Sequence, residues 1–292
     1  MLPIYRLVIC IFSFLAYTAL HATVQAQNLV ENGSFEDYNI DSLNGWLPYS
    51  KQSYQNIFLA EYWYSNDKGD PEYYRSDTLL PNSRVTTELW GNYPETFDSA
   101  KVIDGSAWIG ICSFVWSGYS ERITGQLSKA LHKDSIYEIS FYARLSKYSS
   151  FCLKTIGIQF HNALQSDIKN SSPYYSTEKF QRISPDVVLN ISETCYTKDW
   201  IKVRGTFIAK GGESYFTIGY FYPQGFNWSK AISRYNNLSM KKKFDQLKAC
   251  KKLVRKAPDI KLSTEHIKED NPHEIAYYYI DNVSIIQVRL SD

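Results

Sequence analysis

The sequence contains few of the residues on which enzymes rely. After residue 26 it has four histidines, none of which belongs to an H-E-x-x-H motif. It also lacks the G-x-S-x-G, G-x-G-x-x-G and Walker patterns. Its 30 acidic residues leave a glycosidase-like pair of carboxylates as an alternative, but nothing in the sequence distinguishes one pair from another. We therefore expect a protein without enzymatic activity.

An excess of one charge and long apolar runs are also missing. The net charge is only +2, whereas a dedicated nucleic-acid binder is normally far more basic. Arg6 precedes an apolar run over Leu7–Leu20, and the small-residue site Val24-Gln25-Ala26 follows, which is the pattern of a secretory signal peptide. The alternative of a transmembrane anchor would need ~20 apolar residues. We expect cleavage after Ala26, no transmembrane segment, and an exported protein at the cell surface, at the outer membrane or outside the cell.

Cysteine is rare, and its number is informative once the signal peptide is removed. Cys10 belongs to that peptide, so four cysteines remain: Cys112, Cys152, Cys195 and Cys250. In an oxidising compartment they permit two disulfides in any of three connectivities, although unpaired buried thiols are an alternative. Because no C-x-x-C spacing occurs, a zinc site is not expected.

Aromatic residues are abundant, at 16% of the chain with 24 Tyr. Such a bias favours strands, and it accompanies sugar-binding or protein-binding surfaces. Period-two alternation predicts strands over Ala107–Val115, Ser120–Leu127, Ile136–Leu145, Leu153–Phe160, Trp200–Ile208, Tyr215–Tyr222 and Ala276–Val288. The pattern predicts an all-β fold, a two-sheet antiparallel β-sandwich. Gly211-Gly212 is predicted to form a hairpin turn.

One basic segment interrupts the strand pattern. Ser239 is a candidate N-cap for a helix over Met240–Lys256, a short basic α-helical insertion before the last strand. Lys230–Lys256 contains ten Lys and Arg residues and the single acid Asp245. The segment is either an insertion docked on the sandwich by its apolar stripe or a cationic arm for an anionic surface such as lipopolysaccharide.

The first residues after the signal peptide resemble a known family. The stretch Asn28-Leu29-Val30-Glu31-Asn32-Gly33-Ser34-Phe35-Glu36 resembles the start of galactose-binding-like jelly rolls, which include several carbohydrate-binding module families. Gly105–Ile111, Trp200–Phe207 and Tyr277–Val283 are similar to later strands of these domains, in the same order. The resemblance implies one jelly-roll β-sandwich domain over residues 27–292.

The resemblance is strongest to the N-terminal jelly roll of Gram-negative surface proteins that continue into an OmpA-like, peptidoglycan-binding domain. Two features depart from that pattern. No OmpA-like domain precedes Asp292, so the cell-wall tether of such relatives is not expected here. The basic insertion, residues 229–274, is also foreign to the pattern.

The resemblance further implies a structural calcium ion. In such modules a carboxylate after the Ser-Phe motif and another near the closing strand bind Ca²⁺, and Glu36 and Asp281 occupy those positions. Asp37 and Asn282 could complete the oxygen shell that Ca²⁺ requires. The alternative is that Glu36 and Asp281 only accept hydrogen bonds from amides at strand ends.

Sugar binding would need exposed aromatic rings next to polar groups. Five tryptophans in predicted loops or at strand ends are the candidates, namely Trp46, Trp63, Trp90, Trp116 and Trp228. Trp108 and Trp200 lie within predicted strands and are expected in the core. We therefore predict a non-catalytic binding module of the bacterial cell envelope that recognises glycan or another envelope polymer. The alternative is a structural or assembly component that contacts an envelope protein.

Overall fold

The computed structural model describes residues 27–39, 60–65, 71–75, 102–115, 120–147, 149–164, 184–223, 257–263 and 275–288, with the single residues 227, 230, 231, 233 and 254. These residues form twelve strands and a 3₁₀ helix at Ser192–Cys195. In chain order the strands are β1 Trp63–Ser65, β2 Glu72–Arg75, β3 Ala107–Val115, β4 Arg122–Gln126, β5 Ile136–Leu145, β6 Phe151–Leu153, β7 Thr155–His161, β8 Val187–Asn190, β9 Ile201–Ile208, β10 Tyr215–Gly219, β11 Ile260–Leu262 and β12 Ile275–Gln287.

The strands form two five-stranded sheets and one two-stranded ribbon. Sheet A has the order β2-β3-β12-β5-β9, sheet B has the order β1-β4-β10-β7-β8, and β6 pairs with β11. All of these pairings are antiparallel. The long strands alternate between the sheets, since β3, β5, β9 and β12 belong to sheet A while β4, β7 and β10 belong to sheet B. This alternation is typical of jelly rolls. The predicted two-sheet antiparallel sandwich is confirmed.

The core lies between the two sheets. On β5 every second residue is buried, as the alternation predicted: Tyr137, Ile139, Phe141, Ala143 and Leu145. Sheet B contributes Phe216 and Ile218 from β10. The rings of Phe160 on β7 and Phe207 on β9 stack with centroids 4.3 Å apart. Phe160 and Phe207 are partly buried, whereas a fully buried ring such as that of Phe141 or Phe216 stabilises the fold by roughly 1.5–3 kcal/mol.

The first described segment is hydrogen-bonded to both sheets. Its Leu29 amide donates to the Ile285 carbonyl of β12 at 2.8 Å, and its Glu31 amide donates to the Gln126 carbonyl of β4 at 3.0 Å. The first described segment therefore lies beside the closing strand β12. Because residues 28–33 contact both sheets, they join the sandwich along one side.

One disulfide lies inside the sandwich. Cys152 on β6 is bonded to Cys195 of the 3₁₀ helix, with Cα atoms 5.4 Å apart and 43 positions separating them in the chain. Both residues are completely buried. Cys112 is buried on β3, and Cys250 lies outside the described residues.

The structure corrects the prediction of a hairpin at Gly211-Gly212. Both glycines have positive φ angles, 96° and 90°, so the chain does turn there. However, β9 belongs to sheet A and β10 to sheet B, so these strands do not pair with each other. Glu213 accepts hydrogen bonds from the amides of Lys210 and Gly211 and thereby shapes the crossing between the sheets.

The predicted basic helix lies almost entirely outside the described residues. Of Met240–Lys256 only Val254 is described, and it is buried against the core. Among the residues that the structure places, no helix combines the length and the apolar character needed to cross a bilayer.

Candidate functional site

The outer face of sheet A carries a group of aromatic side chains. We call this group the aromatic face, and its members are Tyr74 on β2, Trp108 on β3, Tyr277 and Tyr279 on β12, and Trp200 directly before β9. All five residues are partly exposed, whereas the residues on either side of Tyr74, Trp108, Tyr277 and Tyr279 are buried. Alternation along a strand explains this arrangement, because successive side chains point to opposite faces of a sheet.

The strand register brings these residues together. Tyr74 lies opposite Trp108, and in the adjacent row Glu72, Gly110, Tyr279 and Arg144 lie opposite one another across four strands. The two rows are neighbours along the strands. A patch of rings therefore crosses the sheet perpendicular to the strand direction.

The rings contact one another in defined geometries. Tyr74 and Trp108 are parallel, with an interplanar angle of 6° and centroids 5.5 Å apart. Tyr279 presents its edge to Tyr74 at 5.7 Å and to Tyr277 at 5.4 Å, and Trp200 lies 6.5 Å from Tyr279. Offset-stacked and edge-to-face contacts of this kind are the favoured ones, so each ring is held in a fixed orientation.

A carboxylate and two hydroxyls lie within the aromatic face. The Tyr277 hydroxyl donates to Glu72 Oε2 at 2.6 Å and shares a hydrogen bond of 2.9 Å with the Tyr74 hydroxyl. Burial, and then the neighbouring Glu72 carboxylate, raise the pKa of Tyr277 well above its ordinary value. Tyr277 consequently stays protonated and acts as a donor to Glu72. The face thus combines apolar rings with a hydrogen-bond acceptor.

Gly110 makes room for this arrangement. A Cβ atom at Gly110 would lie 1.9 Å from the Tyr277 hydroxyl oxygen and 2.7 Å from Cε2 of Tyr74. No other residue type could stand there without displacing these two rings. The glycine in the middle of β3 is therefore explained by the rings that lie over it.

A cationic group borders the aromatic face on its other side. Lys202 on β9 is exposed and lies opposite Tyr142 on β5, with its Nζ 5.9 Å from the centre of that ring. Arg144 is buried next to Tyr279, and its Nε donates to the Lys198 carbonyl at 2.6 Å. The rings are thus bordered by an acid at one edge and bases at the other.

Of the five tryptophans predicted as ligand-binding, only Trp63 is among the described residues, and it does not belong to the aromatic face. Trp63 is buried in the core, with its ring 4.7 Å from Phe35 and 5.7 Å from Phe216, so neither of its faces is available to a ligand. The other four lie outside the described residues: Trp46, Trp90, Trp116 and Trp228.

Sequence reasoning missed Trp108 and Trp200, which it expected in the core. Both are partly exposed on the outer side of sheet A. The run Ala107-Trp108-Ile109 contained the relevant signal, because Ala107 and Ile109 are fully buried and Trp108 must then point the other way.

Glu36 and Asp281, the two carboxylates predicted to bind calcium, accept hydrogen bonds from backbone amides. Glu36 accepts the Ser106 and Ala107 amides, both at 2.6 Å, and also lies 3.4 Å from the Arg75 guanidinium. Asp281 accepts three backbone amides, and burial raises its pKa to about 6 although these amides act in the opposite direction. Nitrogen donors face both carboxylates, which does not fit the oxygen shell that Ca²⁺ requires.

Within the described ranges, no group of three or more His, Cys, Asp or Glu residues is arranged to hold an ion.

The outer face of sheet B differs from that of sheet A. Thr124, Thr217 and His161 form a hydrogen-bonded row there, with contacts of 2.8 and 3.0 Å, and all three side chains are buried. Burial lowers the pKa of His161, while the charge of Asp186 acts in the opposite direction. This row is a structural polar network and does not form an exposed aromatic surface.

Comparisons with known proteins give only distant structural similarities. No protein-family model and no curated protein sequence matches the chain. The CBM22-1 xylan-binding domain of Xyn10C from Paenibacillus barcinonensis has 12% identity and a TM-score of 0.28, and the match covers 65% of this chain and 78% of that one. The K1 cleaved adhesin domain of Lys-gingipain from Porphyromonas gingivalis has 11% identity and a TM-score of 0.34, with coverage of 89% and 97%. TmCBM61, solved with β-1,4-galactotriose, has 9% identity and a TM-score of 0.31, with coverage of 90% and 100%. The assignment of a site in this chain therefore depends on its own side chains.

Proposed function

We propose that this protein is a non-catalytic binding module that recognises glycan through the aromatic face of sheet A. The observation that carries the proposal is a group of five partly exposed aromatic residues on the outer face of sheet A whose rings contact one another, with the Glu72 carboxylate among them. Scattered exposed hydrophobic residues are normal on a protein surface, but a contiguous aromatic patch marks an interaction site.

The chemistry of the patch suits a sugar. A pyranose presents apolar C–H groups on its faces and hydroxyl groups around its edge. Aromatic rings supply large rigid contact areas at low cost in conformational entropy, and the Tyr74 and Tyr277 hydroxyls add polar groups beside them. The Glu72 carboxylate, which accepts from Tyr277, adds a charged acceptor group to the patch.

Export to the bacterial cell envelope is part of the same proposal. The Cys152–Cys195 disulfide supports it, because disulfides form and persist in oxidising compartments. The signal-peptide pattern of residues 1–26 points in the same direction. A glycan or another polymer of the envelope is then the proposed partner. The remaining alternative is a structural component that contacts an envelope protein through the same face.

A glycan array with the oxidised protein tests the proposal, followed by calorimetry on the glycan that binds best. Replacing Trp108 by alanine removes the stacked partner of Tyr74 and should weaken binding by about 2 kcal/mol, roughly 30-fold. Tyr279→Ala should act in the same direction, because Tyr279 contacts Tyr74, Tyr277 and Trp200.

The matched control is Tyr215→Ala on the outer face of sheet B. Tyr215 is also partly exposed and also contacts another tyrosine, Tyr64, at 6.4 Å. It should leave binding unchanged, and thermal unfolding should establish that every variant is folded. The proposed site is refuted if Trp108→Ala binds as tightly as the wild type, or if Tyr215→Ala loses binding while Trp108→Ala keeps it.

A further inference from the structure

Two carboxylates from distant parts of the chain bind the same short segment. The segment is residues 103–107, which leads into β3. Asp281 Oδ2 accepts the amides of Ile103 and Asp104 at 3.0 and 3.2 Å. Glu36 Oε1 accepts the amides of Ser106 and Ala107, both at 2.6 Å. Four of the five backbone amides in the segment are thus held by carboxylates.

The one remaining residue of the segment, Gly105, allows this geometry. Its φ angle is +63°, a conformation that residues with a side chain rarely adopt. A Cβ atom there would lie 2.3 Å from Glu36 Oε1 and 2.8 Å from its Cγ. The glycine therefore lets the segment wrap closely around the Glu36 side chain.

The hydrogen-bonding capacity of Glu36 is completely used. An ionised carboxylate offers about four lone-pair sites. Four donors occupy them: the amides of Ser106 and Ala107, the Ser106 hydroxyl at 3.0 Å, and Arg75 Nη2 at 3.4 Å. A calcium ion would have to bind the same lone pairs, at the usual Ca–O distance of about 2.3–2.6 Å. Because the four donors already occupy these lone pairs, they exclude a calcium ion from Glu36.

The positive charge that a metal would supply is already present as Arg75. Its side chain is buried, and its Nη1 donates to the Glu36 carbonyl at 3.1 Å and to the Tyr73 hydroxyl at 3.1 Å. The same guanidinium lies 4.5 Å from the centre of the Tyr38 ring. Arg75 thus links β2 to the segment after residue 35.

We infer that Glu36 and Asp281 hold the 103–107 segment as a calcium-independent clamp. The clamp fastens the first segment and the last strand to the start of β3. It is the alternative to the calcium site that the family resemblance implied, with the same residues acting through hydrogen bonds and an arginine.

The clamp also makes Glu36 a positioning residue for the aromatic face, a step that rests on the proposed function. Arg75 and Ala107, which both contact Glu36, lie opposite each other where β2 and β3 pair. Tyr74 and Trp108 are the next residues on these strands, and they form the parallel pair of rings. Glu36 therefore fixes the strand ends on which that pair depends.

Thermal unfolding of the oxidised protein, with calcium chloride or with EDTA, tests the clamp. The wild type should melt at the same temperature in both, and titration with calcium chloride should release no heat. Glu36→Gln places an amide N–H against the N–H groups that donate hydrogen bonds to Glu36. It should therefore lower the melting temperature by about 4–8 °C, equally in calcium and in EDTA. The matched control Glu61→Gln makes the same substitution at an exposed glutamate and should change neither value.

A calcium-dependent rise in the wild-type melting temperature that Glu36→Gln abolishes would overturn the inference. If Glu36→Gln does not fold, the wild-type calcium titration decides alone. Neither readout involves a glycan, so failure of the clamp and failure of the proposed function are distinguishable. Where a glycan binds, Glu36→Gln should weaken its binding equally with calcium and with EDTA.

Discussion

Removing the Cys152–Cys195 disulfide should destabilise the protein strongly. The bond joins two residues that are 43 positions apart in the chain. Closing a loop of that length removes conformational entropy from the unfolded chain, worth about 4 kcal/mol at 25 °C. We expect the double variant Cys152→Ala/Cys195→Ala to lose about this much free energy of unfolding, which is a large fraction of the ~5–15 kcal/mol typical of a domain. Equilibrium unfolding in urea, followed by tryptophan fluorescence, measures the difference.

Two comparisons separate the bond from the packing of the side chains. Cys112→Ala removes another buried sulfur outside this bridge and should cost only about 1 kcal/mol. Both sulfur atoms are buried, so a reductant reaches them once the protein is unfolded. Wild-type protein reduced in this way should have nearly the same free energy of unfolding as the double variant. The reasoning is refuted if the double variant is as stable as the oxidised wild type.

Three smaller perturbations test other parts of the structure. Gly110→Ala should displace the Tyr277 ring and lower the free energy of unfolding by about 1–3 kcal/mol, measured by urea unfolding; an unchanged value would contradict the close contact. Tyr278→Phe leaves the buried Leu153 amide without its 2.8 Å acceptor and should cost about 1–3 kcal/mol in the same assay, whereas a neutral effect would contradict the contact. The pKa of His161 is lower in the folded protein than in the unfolded chain, so protonation of His161 favours the unfolded state. The melting temperature should therefore fall as the pH drops below about 6.5, and His161→Gln should reduce that fall.

The sequence predicted the long strands well and the short ones poorly. Ala107–Val115 and Ile136–Leu145 were predicted with the bounds that the structure has, because nine or ten residues contain several periods of alternation. Trp63–Ser65 and Ile260–Leu262 each have only three residues, and a period of two cannot be recognised over so short a stretch. These short strands depend on their partners, since Trp63–Ser65 exists only by pairing with β4.

The sequence also could not predict which strands pair with each other in a sheet. The two glycines at Gly211-Gly212 indicated a turn, and a turn is present. A turn that returns the chain to the same sheet and one that carries it to the other sheet need similar residues. What distinguishes them here is the core, because β9 is the edge strand of sheet A and its Phe207 ring packs on Phe160 of β7 in sheet B, while β10 lies in the middle of sheet B.

The aromatic face was missed because both sides of sheet A carry aromatic residues. Alternation identifies which residues share a side, but the sequence can assign a side to the core only when the other side is polar. In Tyr277-Tyr278-Tyr279 all three residues are tyrosines, and only the structure shows that Tyr278 is fully buried while its two neighbours are partly exposed. The buried side already has its own rings, and the exposed side adds a second set. The five residues of the aromatic face are therefore not accounted for by the core, and a binding role would explain them.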